Sequence, residues 1–148
     1  MPTLREDRPY MQFNFRVEID GIEGGFQEIN GIGTEVTVSE YRNGNDPENN
    51  VRKLTGLSKA ADITLKRGVM GSDLLFKLLD EVRTGKGGNG KYVKIMLMNE
   101  DRSDTTPVMT WKLKNARATK VMYGPLNAKG SDVAMEELVI AYERLELE

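Results

Sequence analysis

The regular structure opens on strict alternation of apolar and polar residues. In Phe13-Asn14-Phe15-Arg16-Val17-Glu18-Ile19 the apolar positions share one parity, which predicts a half-buried strand. Asp20-Gly21 supplies a turn, Gly24-Gly25 a second flexible point, and residues 26–32 read as a further extended stretch. Alternation resumes at Thr34 to Tyr41, with Val36 and Val38 on one face and Thr37 and Ser39 on the other. It returns at residues 61–67, where Ile63 and Leu65 turn inward. Between these segments, residues 42–58 (RNGNDPENNVRKLTGLS) offer almost nothing to a core. Connections beyond about 12–15 residues are uncommon unless functional or disordered. The pattern therefore predicts one long hairpin, its two strands joined by this polar loop.

Residues 72–84 change period. Leu74, Leu75, Leu78, Leu79 and Val82 fall on one helical stripe, with Ser72 placed to cap its start and Gly85 its end. Strands follow again at residues 92–98, 109–121 and 134–147. The expectation is a mainly β fold, a sandwich or barrel of about six or seven strands with one flanking α-helix. The last segment, read as one strand, far exceeds the usual length of about 5–6 residues. Its apolar residues occupy both parities: Leu138, Ile140 and Tyr142 on one, Val139, Ala141 and Leu145 on the other. A strand apolar on both faces needs cover on both, and a second subunit would supply it.

Composition narrows the chemistry. The chain has 148 residues, suited to one domain, and contains neither Cys nor His. Those two zeros exclude disulfides, Cys/His zinc sites, thiol nucleophiles and triads with an imidazole base. A net charge of −2 argues against a general nucleic-acid binder. Charges interrupt the first 20 residues and no long apolar run follows, so the expectation is synthesis in the cytoplasm without a signal peptide or membrane anchor.

Three motifs invite a chemical reading. Gly85-x4-Gly90-Lys91 fits the opening of a phosphate-binding loop, but Tyr92 replaces the Mg²⁺-binding hydroxyl. The loop also follows a helix and enters a strand, the reverse of the required context. Glu100, Asp101 and Asp104 lack calcium-loop spacing. Glu136 and Glu137 point to opposite faces of a strand and cannot flank one bond. No catalytic, cofactor or metal constellation survives. Charge patterning says more: Lys112, Lys114, Arg117 and Lys120 make one late strand basic, while Glu136, Glu137, Glu143, Glu146 and Glu148 make the last one acidic. These charges read either as two solvated faces or as complementary edges that pair between subunits, with Lys112, Lys114, Glu137 and Glu143 as the pairing candidates.

Three stretches carry a family resemblance. The first is Pro9-Tyr10 through Phe13-x-Phe15-x-Val17-x-Ile19-Asp20-Gly21, then Gly25-Phe26-x-Glu28 and Gly31. The second and most specific runs from Tyr41-Arg42-x-Gly44-Asn45 through Arg52-Lys53-Leu54-x-Gly56-Leu57 to Ile63-Thr64-Leu65-Lys66-Arg67-Gly68. The third is Glu136-x-Leu138-x-Ile140-x-Tyr142-Glu143-x-Leu145. Together they closely resemble the inner tail-tube proteins of contractile-tailed phages and extracellular contractile injection systems, with Hcp of type VI secretion more distant. Thr55 stands where the family more often has Pro.

The resemblance implies a non-enzymatic structural subunit without cofactors. Its partners would be copies of itself in stacked, hexameric rings, a contractile sheath, and baseplate, tube-initiator and cap proteins. Cargo or DNA would pass along the lumen without sequence-specific binding, and the product would be a virion tail or an extracellular tail-like particle. The chain would form a single domain: an N-terminal arm (1–9), an extended inter-subunit loop (42–58) and a helix (72–84). Within that frame Tyr41, Arg42, Gly44, Asn45, Arg52, Lys53, Leu54 and Gly56 are expected to make ring-stacking contacts. Thr37, Ser39, Asp62, Thr64 and Lys66 are expected to face the lumen. A tube initiator or baseplate paralogue and a secreted Hcp-type ring remain open, as does a monomeric β-barrel binding module with an apolar cavity.

Overall fold

The computed structural model describes residues 9–45, 47, 50–85, 90–101 and 106–148. The arm expected over 1–9 thus lies outside the described residues except for Pro9, as do residues 86–89 of the glycine loop and Asp104. Among the described residues ten strands and one helix follow in order: β1 (Phe15–Ile19), β2 (Ile22–Gly24), β3 (Glu28–Asn30), β4 (Thr34–Tyr41), β5 (Arg52–Ala60), β6 (Ile63–Gly68), α1 (Leu74–Arg83), β7 (Lys91–Met98), β8 (Pro107–Tyr123), β9 (Met135–Ala141) and β10 (Arg144–Leu147). Eight strands form one antiparallel sheet in the order β2-β1-β7-β8-β9-β6-β3, with β10 also paired to β8. β4 and β5 form a separate two-stranded ribbon. The path has free ends at β2 and β3, so the fold is a sandwich rather than a closed barrel.

The long strand β8 organises the sandwich. Its first half pairs with β7 and β10, its second half with β9. Between the halves Asn115 takes φ +52°, the left-handed region, and the sheet turns there. Both halves therefore direct their apolar parity into one core, which includes Val17, Ile95 and Leu113 from one side and Ile63, Leu65 and Leu138 from the other. Alternation placed the inward residues of β1 and β6 correctly, except that Phe13 is exposed ahead of β1. Asp20 and Gly21 both have positive φ, as a two-residue type I′ turn requires, and they close the β1–β2 hairpin.

The helix covers the seam between the halves. Leu75 and Leu78 are buried and Leu74 and Leu79 pack on the core. Asp73 occupies the N-cap position without a side-chain cap bond, while the Leu74 N–H donates to Ser72 Oγ at 3.3 Å, so Ser72 does serve the first turn. Gly85 ends the helix at φ +73°, donating its N–H to the Val82 carbonyl. A cavity of about 130 Å³ remains between helix and sheet, lined by Ile19, Leu78, Val93, Ala116 and Ile140. That is well below the roughly 300–1,000 Å³ of ligand pockets. Among the described residues no group of carboxylates is placed to hold a metal ion, and no helix is long and apolar enough to cross a membrane.

Two expectations change. First, β4 pairs with β5, not with β6; residues 52–58, read as loop, belong to a strand. Glycine at 56 and a register shift opposite Val36–Val38 interrupt the period-two pattern that would have revealed β5. Second, residues 134–147 are not one strand. β9 ends at Ala141, Tyr142 is buried, and β10 starts at Arg144. The inward parity switches across this break, from Leu138, Ile140 and Tyr142 to Leu145. The change of face accounts for Leu145, whereas Val139 and Ala141 stay within β9 on its outward parity, part-exposed.

Candidate assembly interface

The need for a partner arises elsewhere. All eight residues of β4 are exposed, as are all of β5 but Ala60. Val36 and Val38 are each 51% exposed, and Leu54 and Leu57 lie open on the facing strand. An isolated two-stranded hairpin is marginal in water. Ordering its backbone costs about 1–2 kcal/mol per residue, which burial of those side chains on another surface would offset.

The ribbon root is fastened to the sandwich. The Ala61 N–H donates to the Gly33 carbonyl at 3.1 Å, closing the ribbon base. The Tyr142 hydroxyl donates to the same carbonyl at 2.9 Å and accepts the Gly33 N–H at 3.4 Å. Gly31 holds φ +91° beside the strand start, and a Cβ there would collide with the Asp62 carbonyl oxygen. Sequence reading missed Tyr142, because its hydroxyl partner is 109 residues away.

Burial pushes the Tyr142 phenol above the usual tyrosine range, the Gly33 backbone bond opposing it. The neutral phenol is the bound form. Its contribution is therefore complete below the unfolded value near 10 and fades as pH rises through the raised folded value. Tyr142→Phe should cost about 1 kcal/mol in urea unfolding. It should also speed amide exchange in β4 and β5 while β7 and β9 stay protected. Unchanged exchange in the ribbon would show that the hydroxyl does not hold it.

The expected stacking residues sit on this ribbon. Tyr41, Glu40 and Ser39 are the cross-strand partners of Arg52, Lys53 and Leu54, so the structure brings these together. Tyr41 Oη donates to Asn43 Oδ1, and Gly44 and Asn45 form the exposed turn beyond it. Thr37 and Ser39 share the ribbon as well, opposite in parity to Val36 and Val38.

The other expected lumen residues lie apart, on the outward face of the sheet. Thr64 is opposite Asn30 and Val139, and Lys66 is opposite Glu28 and Glu137. Lys66 Nζ lies 3.9 Å from Glu28. Asp62 is exposed just before β6. With Lys120 and Met122 opposite Val139 and Glu137 on β8, this face is polar and balanced in charge.

The basic and acidic strands meet within one chain. Lys112 Nζ lies 3.0 Å from Glu148, and Lys114 Nζ lies 3.1 Å from Glu146 across the β8–β10 pair. The bond to Glu148 raises the Lys112 pKa, and the bond from Lys114 lowers that of Glu146. Glu143 accepts from Asn115 Nδ2 at 2.8 Å, bridging the two irregular points of β8 and β9–β10.

Comparison with known proteins places this geometry. The family model for the T4-like virus tail tube protein gp19 matches residues 11–146. No curated protein matches the chain. Among solved structures, a chain of the PVC extracellular contractile injection system sheath-tube complex in the extended state is 26% identical. That match covers 97% of this chain and 93% of the other, with a TM-score of 0.85. A chain of the anti-feeding prophage baseplate is also 26% identical, over 96% and 97% of the two chains, at 0.81. Hcp1 from Flavobacterium johnsoniae shares the fold at 10% identity, 90% and 93% coverage and 0.53. With the family match running through sandwich, ribbon and final strands alike, the chain belongs to the T4-like virus tail tube protein gp19 family and is a tube-forming structural subunit.

Proposed function

We propose that this protein assembles into rings, hexameric by resemblance to its family, that stack into the rigid inner tube of a contractile injection device or phage tail. The reading rests on one observation: a rooted, two-stranded ribbon exposes its apolar side chains without cover in the single chain. A second copy gives it that cover, and closing sheet edges around a ring removes their hazard. The subunit works without catalysis or cofactor. In the particle it would meet a sheath outside, and baseplate or initiator and cap proteins at the ends. The likeness to a baseplate chain keeps a baseplate or initiator role as the second reading.

The polar sheet face with Thr64 and Lys66 is assigned to the bore, where balanced charge lets cargo or DNA slide without sticking. Thr37 and Ser39 would extend this lining along the ribbon, on a face where Leu54 is the cross-strand partner of Ser39. Because the chain has no cysteine, a single introduced thiol reports its own surroundings. Thr64→Cys in assembled tubes should react with a small maleimide but be protected from a bulky polymer-linked one, and become fully reactive when the tube is dissociated. Equal reactivity toward both reagents in intact tubes would place this face on the outer wall.

A further inference from the structure

The dipeptide Asn-Gly occurs at Asn30-Gly31, Asn43-Gly44 and Asn89-Gly90. Glycine has no Cβ to shield its nitrogen, so that nitrogen can reach the carboxamide of the preceding side chain. Asn89 lies outside the described residues, and the other two stand in opposite settings. Asn30 is held in β3, paired with Thr64, and its Nδ2 donates to Glu28 Oε1 at 3.0 Å. Extended backbone turns the following nitrogen away from the side-chain Cγ, and Gly31 is pinned at φ +91° against the Asp62 carbonyl. Asn43 belongs to neither ribbon strand, since the ladder stops at the Tyr41–Arg52 pair. Gly44 lies in an exposed turn with open space where a Cβ would stand. Among the described residues no acceptor takes the Gly44 N–H. The Tyr41 hydroxyl donates to Asn43 Oδ1, the oxygen on which attack at Cγ places charge. Exposure does not separate the two sites, because Asn30 is the more open; backbone does.

We propose that Asn43 is a self-modification site, at which the Gly44 nitrogen converts the side-chain carboxamide to a carboxylate. The Gly44 nitrogen gives up its proton to water or hydroxide and attacks Asn43 Cγ, closing a five-membered ring through a new N–Cγ bond. Attack within one chain needs no second reactant to be brought in. Negative charge gathers on Oδ1 in the tetrahedral intermediate, where the Tyr41 hydroxyl already donates. The Cγ–Nδ2 bond then breaks, and Nδ2 takes a proton from water and leaves as ammonia. Water opens the resulting succinimide at Cγ to give Asp, or at the Asn43 main-chain carbonyl to give isoaspartate. One water is consumed, one ammonia is released and nothing is oxidised. Each conversion adds a negative charge to a chain of net charge −2. Isoaspartate also inserts a methylene into the main chain beside the ribbon. The ribbon tip is thereby marked according to the age of the chain. The site is complete in the single chain and does not depend on the tube reading.

Trypsin separates the two sites, because cleavage after Arg16, Arg42 and Arg52 puts Asn30 on peptide 17–42 and Asn43 on peptide 43–52. The intact protein is incubated at mildly alkaline pH and then digested beside a freshly purified sample. Tandem mass spectrometry is expected to show Asn43 converting over days to a mixture of Asp and isoaspartate, faster as pH rises, while Asn30 stays intact. An unmodified Asn43, or an Asn30 that converts as fast, would overturn the proposal. Gly44→Ala fits the open space but shields the nitrogen, and should slow conversion by about an order of magnitude. An unchanged rate in that variant would mean direct hydrolysis by water and would overturn the intramolecular route. Tyr41→Phe should slow conversion roughly two- to tenfold, the worth of one net hydrogen bond. Conversion at the parent rate would overturn the part given to the hydroxyl.

Discussion

Excising residues 37–57 and joining Val36 to Ser58 through a two-residue Asn-Gly turn is expected to yield a folded subunit that forms no tubes at any concentration. Val36 and Ser58 are direct cross-strand partners, so a tight turn closes the gap without disturbing the root. Among the described residues the core contains none from the excised segment; Ala60 alone of the ribbon strands packs against it, and it is retained. Thermal unfolding should therefore stay within a few degrees of the parent, a shift equivalent to about 1 kcal/mol. Association should disappear, because each apolar side chain denied its cover forfeits roughly 1.5–3 kcal/mol, more than tenfold in an equilibrium constant. Tubes of ordinary length from the shortened chain, seen by light scattering, would show that the ribbon is dispensable.

The second large effect lies in the core. Arg67 and Glu136 are cross-strand partners on β6 and β9, joined at 2.5 Å with Glu136 only 1% exposed. The guanidinium lies over the Phe26 ring, 5.6 Å from its centroid, and its Nη2 is buried without a hydrogen-bond partner. Truncating Glu136→Ala leaves a buried cation uncompensated and should destabilise the subunit by about 3–5 kcal/mol. Against a typical total of 5–15 kcal/mol this is severe, lowering the melting temperature by roughly 10 °C. The double change Arg67→Met with Glu136→Leu should recover most of the loss, because apolar packing replaces the pair without stranding a charge. A double variant no more stable than Glu136→Ala would mean that the ion pair itself holds β6 to β9.

Much of this architecture was legible along the chain. Alternation marked β1 and β6 and the helix stripe marked α1, since each buries one regular face. The resemblance carried by Tyr41 to Gly68 pointed to the family. Two features were hidden for physical reasons. β5 is mostly polar, with a glycine and a register shift at its centre, so its strand character depends on pairing with β4. The reversal at Tyr142 and Glu143 cannot be seen locally, because the opposing irregularity at Asn115 lies 28 residues away. Most of β5 therefore read as loop, and residues 134–147 as one doubly apolar strand. The residues expected to stack lie on and around this ribbon, where Val36, Val38, Leu54 and Leu57 are exposed.

The most direct measurement is negative-stain electron microscopy of the purified protein over a concentration series. Rings that stack end to end into hollow tubes as concentration rises are the predicted result. A particle that stays at the 16.6 kDa subunit mass throughout, with neither rings nor tubes even when mixed with its own tube-initiating protein, would contradict the account.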